Sequence, residues 1–337
     1  MRLLVSGGAG FIGSAFVRRM LQKHADWEVV VFDKLTYAGN LDNLKLVEAD
    51  PRYSFVRGDI CDRQAVEGAA SDVDAIVNFA AETHVDRSID SPEDFLRTDI
   101  LGTHNLLEVV RARGIARMVQ VSTDEVYGSI DEGSFTETAR ISASSPYSAS
   151  KAGGDLQVLA YHTTYGTPVL ITRGSNTYGP YQYPEKLIPL FVTNALEGGE
   201  LPLYGDGLNV RDWLHVDDHA DGIEAALTCG RPGEAYNIGG GNERTNREIT
   251  AIILDELGLD WDKTVRQVTD RPGHDRRYSI RCEKAYSELG WSPSVDFGRG
   301  LRETIRWYRD NEWWWHKIKH QTAEFADWRT RWYDERR

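Results

Sequence analysis

Ser6-Gly7-Gly8-Ala9-Gly10-Phe11-Ile12-Gly13 satisfies G-x-x-G-x-x-G and G-x-G-x-x-G together, and stands between an apolar run, Arg2–Ser6, and an amphipathic one, Ser14–Lys23. That order predicts a strand, a tight turn and a helix. Glycine at the turn removes the side chains that would hold a pyrophosphate away from the backbone, and the helix N-terminus offers N–H groups with no intrahelical acceptor. About 20 residues further on, Asp33 follows a second apolar run, Glu28–Phe32. A carboxylate there accepts hydrogen bonds from an adenosine ribose and repels a 2′-phosphate, which favours NAD over NADP. The charge of Lys34 runs against that preference. A bare turn with a capping aspartate would use the same residues, but would not require a strand before it and a helix after it.

Outward from this unit, β-prone runs recur at Ser54–Arg57, Ala75–Phe79, Met118–Ser122 and Val169–Thr172, with helical stretches between them. The alternation predicts an α/β chain with a doubly wound, parallel sheet of the Rossmann type. Val29-Val30-Val31-Phe32 and Ala75-Ile76-Val77 lack polar alternation, as strands covered on both faces do. Beyond Thr172 the pattern loosens into turn-rich clusters at Asn176–Tyr181 and Arg271–Arg277, assigned to a smaller C-terminal substrate lobe. Asp212–Leu227 reads as a strand and a helix capped by Asp217 or Asp218, and Glu234–Gly239 as a strand returning to the main sheet. The lobes are therefore expected to interleave, with residues 1–175 and about 209–239 in the dinucleotide-binding domain and about 176–208 and 240–337 in the other.

The 337 residues are enough for one large unit and a smaller lobe. With 41% hydrophobic and 27% charged residues and no apolar run long enough to cross a bilayer, no membrane span is expected. A net charge of −13 argues against nucleic acid as a partner. Three cysteines, Cys61, Cys229 and Cys282, stand far apart without CxxC spacing, so neither a disulfide framework nor a zinc site is expected. The first strand runs straight into the glycine turn, leaving no stretch with the anatomy of a secretory leader. The expected location is cytoplasmic.

Tyr147-Ser148-Ala149-Ser150-Lys151 places a phenol and an ammonium four residues apart, on one face of a helix beginning near Pro146. A neighbouring cation, aided by the charge of a nicotinamide, is expected to lower the tyrosine pKa so that it serves as a base. At the end of the fifth strand, Ser122-Thr123-Asp124-Glu125-Val126-Tyr127-Gly128 sets two carboxyls side by side. Such a pair serves as acid and base when its environments split the two pKa values, and serves equally as the first-turn acids of a capped helix.

Together with the glycine loop, the Tyr147/Lys151 pair resembles the extended branch of the short-chain dehydrogenase/reductase superfamily over essentially the whole chain. Within it the chain is similar to the dTDP-glucose 4,6-dehydratases, on Asp33–Asn40, Ala81–Ser88, Ser122–Gly128, Asn176–Pro189 and Arg211–Trp213. It departs from them at Gly174 and Thr177, where the family usually carries cysteine and asparagine. The resemblance implies NAD as cofactor, dTDP-glucose as substrate, a homodimer and no metal. It implies catalytic roles for Thr123, Asp124, Glu125, Tyr147 and Lys151. Tyr147 takes the proton of the C4 hydroxyl as hydride leaves C4, Thr123 holds that oxygen, Glu125 takes the C5 proton, Asp124 protonates the departing C6 hydroxyl, and hydride returns to C6. Cofactor contacts are implied at Gly7, Gly10, Phe11, Ile12, Gly13, Asp33, Lys34, Thr36, Asp59, Ile60, Ala80, Ala81, Thr98, Tyr147, Lys151 and Thr177. Substrate contacts are implied at Thr83, Thr123, Asn176, Lys186, Leu187, Pro202, Tyr204, Arg211, Asn246, Arg271, His274 and Tyr278.

Alternative readings are an epimerase or a GDP-mannose-type dehydratase of the same branch, and a non-catalytic NAD-sensing module. Asp124-Glu125 argues against the epimerase, Asp33 against an NADP-dependent GDP-mannose enzyme, and the full set of reactive residues against the sensor. His215-Val216-Asp217-Asp218-His219 has the look of a metal box, but a capped helix start explains it and no metal is expected. The tail from Trp313-Trp314-Trp315 to Trp332 is expected to pack on the body or on a sister subunit. Helices Leu101–Arg113 and Tyr147–Tyr165 are expected to build a four-helix dimer interface through Leu106, Val109, Val110, Leu156 and Leu159.

Overall fold

The computed structural model describes residues 1–270 and 274–334. Its strands are β1 (Arg2–Ser6), β2 (Glu28–Asp33), β3 (Tyr53–Arg57), β4 (Ala75–Asn78), β5 (Arg117–Thr123), β6 (Val169–Gly174), β7 (Asn176–Tyr178), β8 (Leu201–Tyr204), β9 (Val210–His215), β10 (Ala235–Ile238), β11 (Glu243–Thr245) and β12 (Val265–Val268). Seven of them form one sheet in the order β10-β6-β5-β4-β1-β2-β3, every pair parallel. This is the α/β doubly wound architecture expected from the alternation of runs. The return of the chain to the main sheet at Ala235–Ile238 is likewise as expected. β9 does not join it; β9 lies between β11 and β7 in a three-stranded sheet, and β8 pairs with β12.

Side-chain alternation divides the main sheet between two cores. Leu3, Val5, Val29 and Val31 point to the helices Phe11–Lys23 and Val216–Cys229, while Leu4, Val30, Ile76 and Met118 point to the helices Thr103–Arg113 and Pro146–Tyr165. Each fully buried aliphatic of this kind contributes about 1.5–3 kcal/mol. A third core joins Phe191, Leu201, Trp213, Ile253 and Leu301 to the tail residues Trp314, Trp315, Trp328 and Trp332. The tail thus packs on its own chain, Trp314 donating Nε1–H to Asn43 Oδ1 at 2.9 Å and Trp332 to Asp90 Oδ2 at 3.2 Å.

Several local expectations change. The first helix begins at Phe11, not Ser14. The helix after Phe95 opens with a π-helical stretch, Leu96–Gly102. Helix Val216–Cys229 is capped by His215, whose Nδ1 accepts the Asp217 N–H at 3.2 Å. Asp218 is buried instead, accepting from Ser294 Oγ at 2.8 Å and Val295 N at 2.9 Å. Leu106, Val109 and Val110 face inward onto the chain's own sheet, at most 1% exposed, and cannot meet a second copy. Leu156 remains exposed, with Leu96 and Leu101. No helix among the described residues is long and apolar enough to cross a membrane.

The π stretch sits against the two glycines of the helix carrying Tyr147 and Lys151. A Cβ at Gly154 would stand 2.8 Å from the Asp99 carbonyl oxygen, whereas one at Gly68 meets nothing within 4 Å. Gly154→Ala should therefore cost about 1–3 kcal/mol by overpacking, and Gly68→Ala should stabilise by up to about 1 kcal/mol through backbone entropy. Chemical denaturation of both variants checks the contrast; equal midpoints would contradict it.

Candidate active site

In a parallel sheet all strands finish on one edge, and the loops there line a cavity of about 300 Å³. At its centre the turn after β1 passes under β4. Gly7 has φ +71°, and a Cβ on it would lie 2.4 Å from the Ala80 nitrogen; one on Gly13 would lie 2.3 Å from the Gly7 carbonyl oxygen. No residue but glycine closes this turn. The helix it leads into starts after Gly10 with no side-chain cap and no acid in its first turn. The N–H groups of Phe11, Ile12 and Gly13 therefore face the cavity region without an intrahelical acceptor, as a bound pyrophosphate requires.

Asp33 at the end of β2 accepts N–H bonds from Ala9 at 2.9 Å and Leu35 at 2.8 Å, which orients its carboxyl at the cavity wall. Burial raises its pKa. Lys34 no longer argues against NAD, because its ammonium is 2.8 Å from Asp59 Oδ2. Thr36, Asp59, Ile60, Ala80, Ala81 and Thr98 line the same cavity, so all sixteen residues expected to touch a cofactor share it.

At the other end β5 delivers Thr123, Asp124 and Glu125, and helix Pro146–Tyr165 delivers Tyr147 and Lys151. Thr123 caps a short 3₁₀ turn, its Oγ accepting the Glu125 N–H at 3.3 Å and donating to Asp124 Oδ1 at 3.3 Å. The capping and reactive readings of this segment are thus both true: the cap is what fixes the two acids. Asp124 is 3% exposed, and its Oδ2 has no protein partner among the described residues. Burial, with the charges of Glu125 and Asp212 added, holds its pKa well above the usual carboxylate range despite Arg211 nearby. The buried site thus favours the protonated form of this carboxyl.

Lys151 shares the cavity with Tyr147, and its ammonium donates to the Val121 carbonyl at 2.9 Å. Burial and the charges of Glu125 and Asp99 raise the Tyr147 phenol well above its ordinary value, against a hydrogen bond to Thr123. Lowering it therefore requires a further positive charge in the cavity. Sequence reasoning also missed two acids. Glu82, on the cavity wall, is pushed up to about 7 by burial and by Asp99. Asp99, 2.6 Å from Ser150 Oγ, is pushed up to about 6 by burial. Nothing local marks either; their environment comes from three separated segments.

Of the expected substrate contacts, Thr83, Thr123, Asn176 and Lys186 line the cavity, and Asn176 Oδ1 is buried without a protein partner. Leu187, Pro202, Tyr204, Arg211, Asn246, His274 and Tyr278 lie outside its lining. Arg211 stacks on the Tyr278 ring at 4.2 Å and donates to the Asp275 carbonyl at 2.9 Å. Tyr278 senses the charge of Glu125. Tyr204 and His274 meet edge to face at 6.1 Å. Arg271 falls outside the described residues. Tyr37, Arg87 and Glu185 were not anticipated: Glu185 is buried between the Tyr37 hydroxyl at 3.0 Å and Arg87 Nε at 2.9 Å.

A family model described as GDP-mannose 4,6 dehydratase matches residues 4–304. A dTDP-glucose 4,6-dehydratase of Streptomyces antibioticus is 54% identical over 328 residues, covering 96% of this chain and 97% of that protein. One from Escherichia coli is 48% identical over 349 residues, covering 94% and 96%. The crystal structure of DesIV, a dTDP-glucose 4,6-dehydratase from Streptomyces venezuelae with NAD bound, is 59% identical, superposes with a TM-score of 0.93, and spans 95% of this chain and 100% of its own.

The raised pKa of Asp124 has a consequence for stability. The native state holds this proton more tightly than the unfolded chain, so the buried acid erodes stability as pH climbs above its ordinary 3.8. Asp124→Asn should accordingly melt at the wild-type temperature near pH 4 and above it at pH 7–8, while losing activity. Thermal melts across that range check it, and a gap that closes with rising pH would contradict the burial.

Proposed function

The chain belongs to the GDP-mannose 4,6 dehydratase family, and within it we infer an NAD-dependent dTDP-glucose 4,6-dehydratase, a hydro-lyase. It converts dTDP-glucose into dTDP-4-keto-6-deoxyglucose and water. The observation that carries the reaction type is the buried Asp124 beside Glu125, fixed by Thr123 within the same cavity as Tyr147 and Lys151. The glycine turn and Asp33 fit a dinucleotide, because the turn opens on a helix start with no side-chain cap and no first-turn acid, and Asp33 lines the same cavity. NAD, when bound, supplies the hydride acceptor for C4 and the donor for C6, together with a positive charge in addition to that of Lys151.

The chain's own residues do the rest. Tyr147 takes the proton from the C4 hydroxyl, and Thr123 holds that oxygen. The ketone so formed acidifies the C5 hydrogen, which Glu125 removes. Asp124 delivers its proton to the C6 hydroxyl as water departs, a step for which a carboxyl raised by burial is suited, and C5 is reprotonated as hydride returns to C6. Lys151, bound to the Val121 carbonyl, fixes the helix that presents Tyr147 and adds positive charge. Asn176, Lys186, Arg211, Asn246, His274 and Tyr278 take the nucleotide-sugar, the cations meeting its diphosphate. The dinucleotide lobe comprises residues 1–175 and about 209–239, with β9 serving as the seam. A homodimer accompanies this reading, with the exposed Leu101 and Leu156 as its apolar surface. Three free cysteines among the described residues suit a reducing cytoplasm.

Purified protein given dTDP-glucose or UDP-glucose without added NAD should form a 4-keto sugar from the former, with no net reduction of cofactor. In single turnovers Tyr147→Phe should depress every step, by about 10²–10⁴-fold. Glu125→Gln should still reduce bound cofactor while C5 deuterium exchange slows sharply, and Asp124→Asn should keep C5 exchange better than elimination. If Glu125→Gln abolished cofactor reduction and left C5 exchange intact, the division of roles would be wrong. For assembly, Leu156→Glu should convert dimer to monomer by sedimentation; an unchanged dimer would place the interface elsewhere.

A further inference from the structure

His219 is the half of the supposed metal box that the function leaves unused. It is 2% exposed, lies on helix Val216–Cys229 and lines the cavity. Its ring packs directly over Gly174: a Cβ there would stand 2.4 Å from Cε1 and 2.5 Å from Nε2, so the ring occupies this position because residue 174 has no side chain. Gly174 ends β6 in register with Thr123 of β5. The imidazole therefore sits at the reacting end of the cavity, four strands along the sheet from β2, which carries Asp33.

The hydrogen bonds around it determine which ring nitrogen carries the proton. Thr177 Oγ1 is 3.1 Å from the Ser175 carbonyl, which can only accept, so the one hydroxyl hydrogen goes there. The same oxygen is 2.8 Å from His219 Nδ1 and must accept, so Nδ1 bears the hydrogen. Burial pushes the ring's pKa down to about 4, which leaves the imidazole neutral and Nε2 a bare lone pair. Nε2 is buried and has no partner among the described residues. A buried acceptor of this kind calls for a donor, and at the reacting end of a dinucleotide the one N–H donor is the primary carboxamide.

We propose that His219 is a cofactor-positioning residue whose Nε2 accepts a hydrogen bond from the nicotinamide carboxamide, with Thr177 fixing the tautomer and Gly174 making room for the ring. This rests on the NAD reading above. It gives the pyridinium ring a fixed face relative to Thr123 and Tyr147, and it discriminates against a ring bearing a carboxylate, which has no hydrogen to give and meets a lone pair.

The test is a competition that does not depend on turnover. Protein is equilibrated with an equimolar mixture of NAD and nicotinic acid adenine dinucleotide, and the bound nucleotides are released and quantified. Wild type should retain NAD in at least tenfold preference. His219→Phe should reduce that preference to about threefold or less, and Thr177→Val, of nearly the same shape, should reduce it in the same direction should the first variant fold poorly. A wild-type protein with no preference, or variants that both keep it, would overturn the proposal and assign Nε2 to an ordered water. Absence of either dinucleotide from wild type would overturn the NAD reading itself, and this proposal with it.

Discussion

The site depends on parallel pairing in register across β2, β1, β4, β5 and β6. Because the strands run the same way, their last residues stand side by side, Ser6 against Phe32 and Asn78, and Thr123 against Gly174. A buried polar line runs beneath that edge, Ser6 Oγ to Asn78 Oδ1 at 2.7 Å and Asn78 Nδ2 to Gln120 Oε1 at 2.8 Å. Slipping one strand would leave these groups unpaired in a dry interior, at roughly 1–3 kcal/mol apiece. The ladder thus sets the distances among groups that come from remote parts of the chain.

Those groups include more acid than a stable protein would choose. Asp124, Glu82 and Asp99 are all held above their ordinary pKa chiefly by burial, and two of them face the cavity. Elsewhere buried carboxyls stand against a guanidinium, Asp155 at 2.9 Å from Arg173 and Glu185 at 2.9 Å from Arg87, and burial raises these two as well. What sets them apart is the ion pair, not the direction of the shift.

Short-range signals carried most of the architecture. The glycine turn, the unbroken valine runs and the spacing of Tyr147 and Lys151 each concern residues within a turn or strand of one another. What was not legible came from contacts across the chain. Lys151 belongs to the Val121 carbonyl because β5 passes beneath the helix, and Lys34 belongs to Asp59 because β2 and β3 pair. Helix Thr103–Arg113 has an apolar stripe whichever surface it covers, so periodicity alone could not say whether Leu106, Val109 and Val110 meet a sheet or a sister helix. Gly174 and His219 are 45 residues apart in sequence, and only the fold sets one on the other.

The tail has a consequence for how the molecule is made. Trp314 forms part of the cavity wall, and Trp328 meets the His84 ring edge to face at 5.5 Å, beside the segment that carries Glu82 and Thr83. Synthesis runs from the N-terminus at about 5–20 residues per second, so the seven strands of the main sheet all exist before these tryptophans emerge. The sheet can form while the chain is still tethered to the ribosome, but that wall can close only after the tryptophans have emerged. A nascent chain truncated near residue 310 would contain every reactive group and still be open to water on one side.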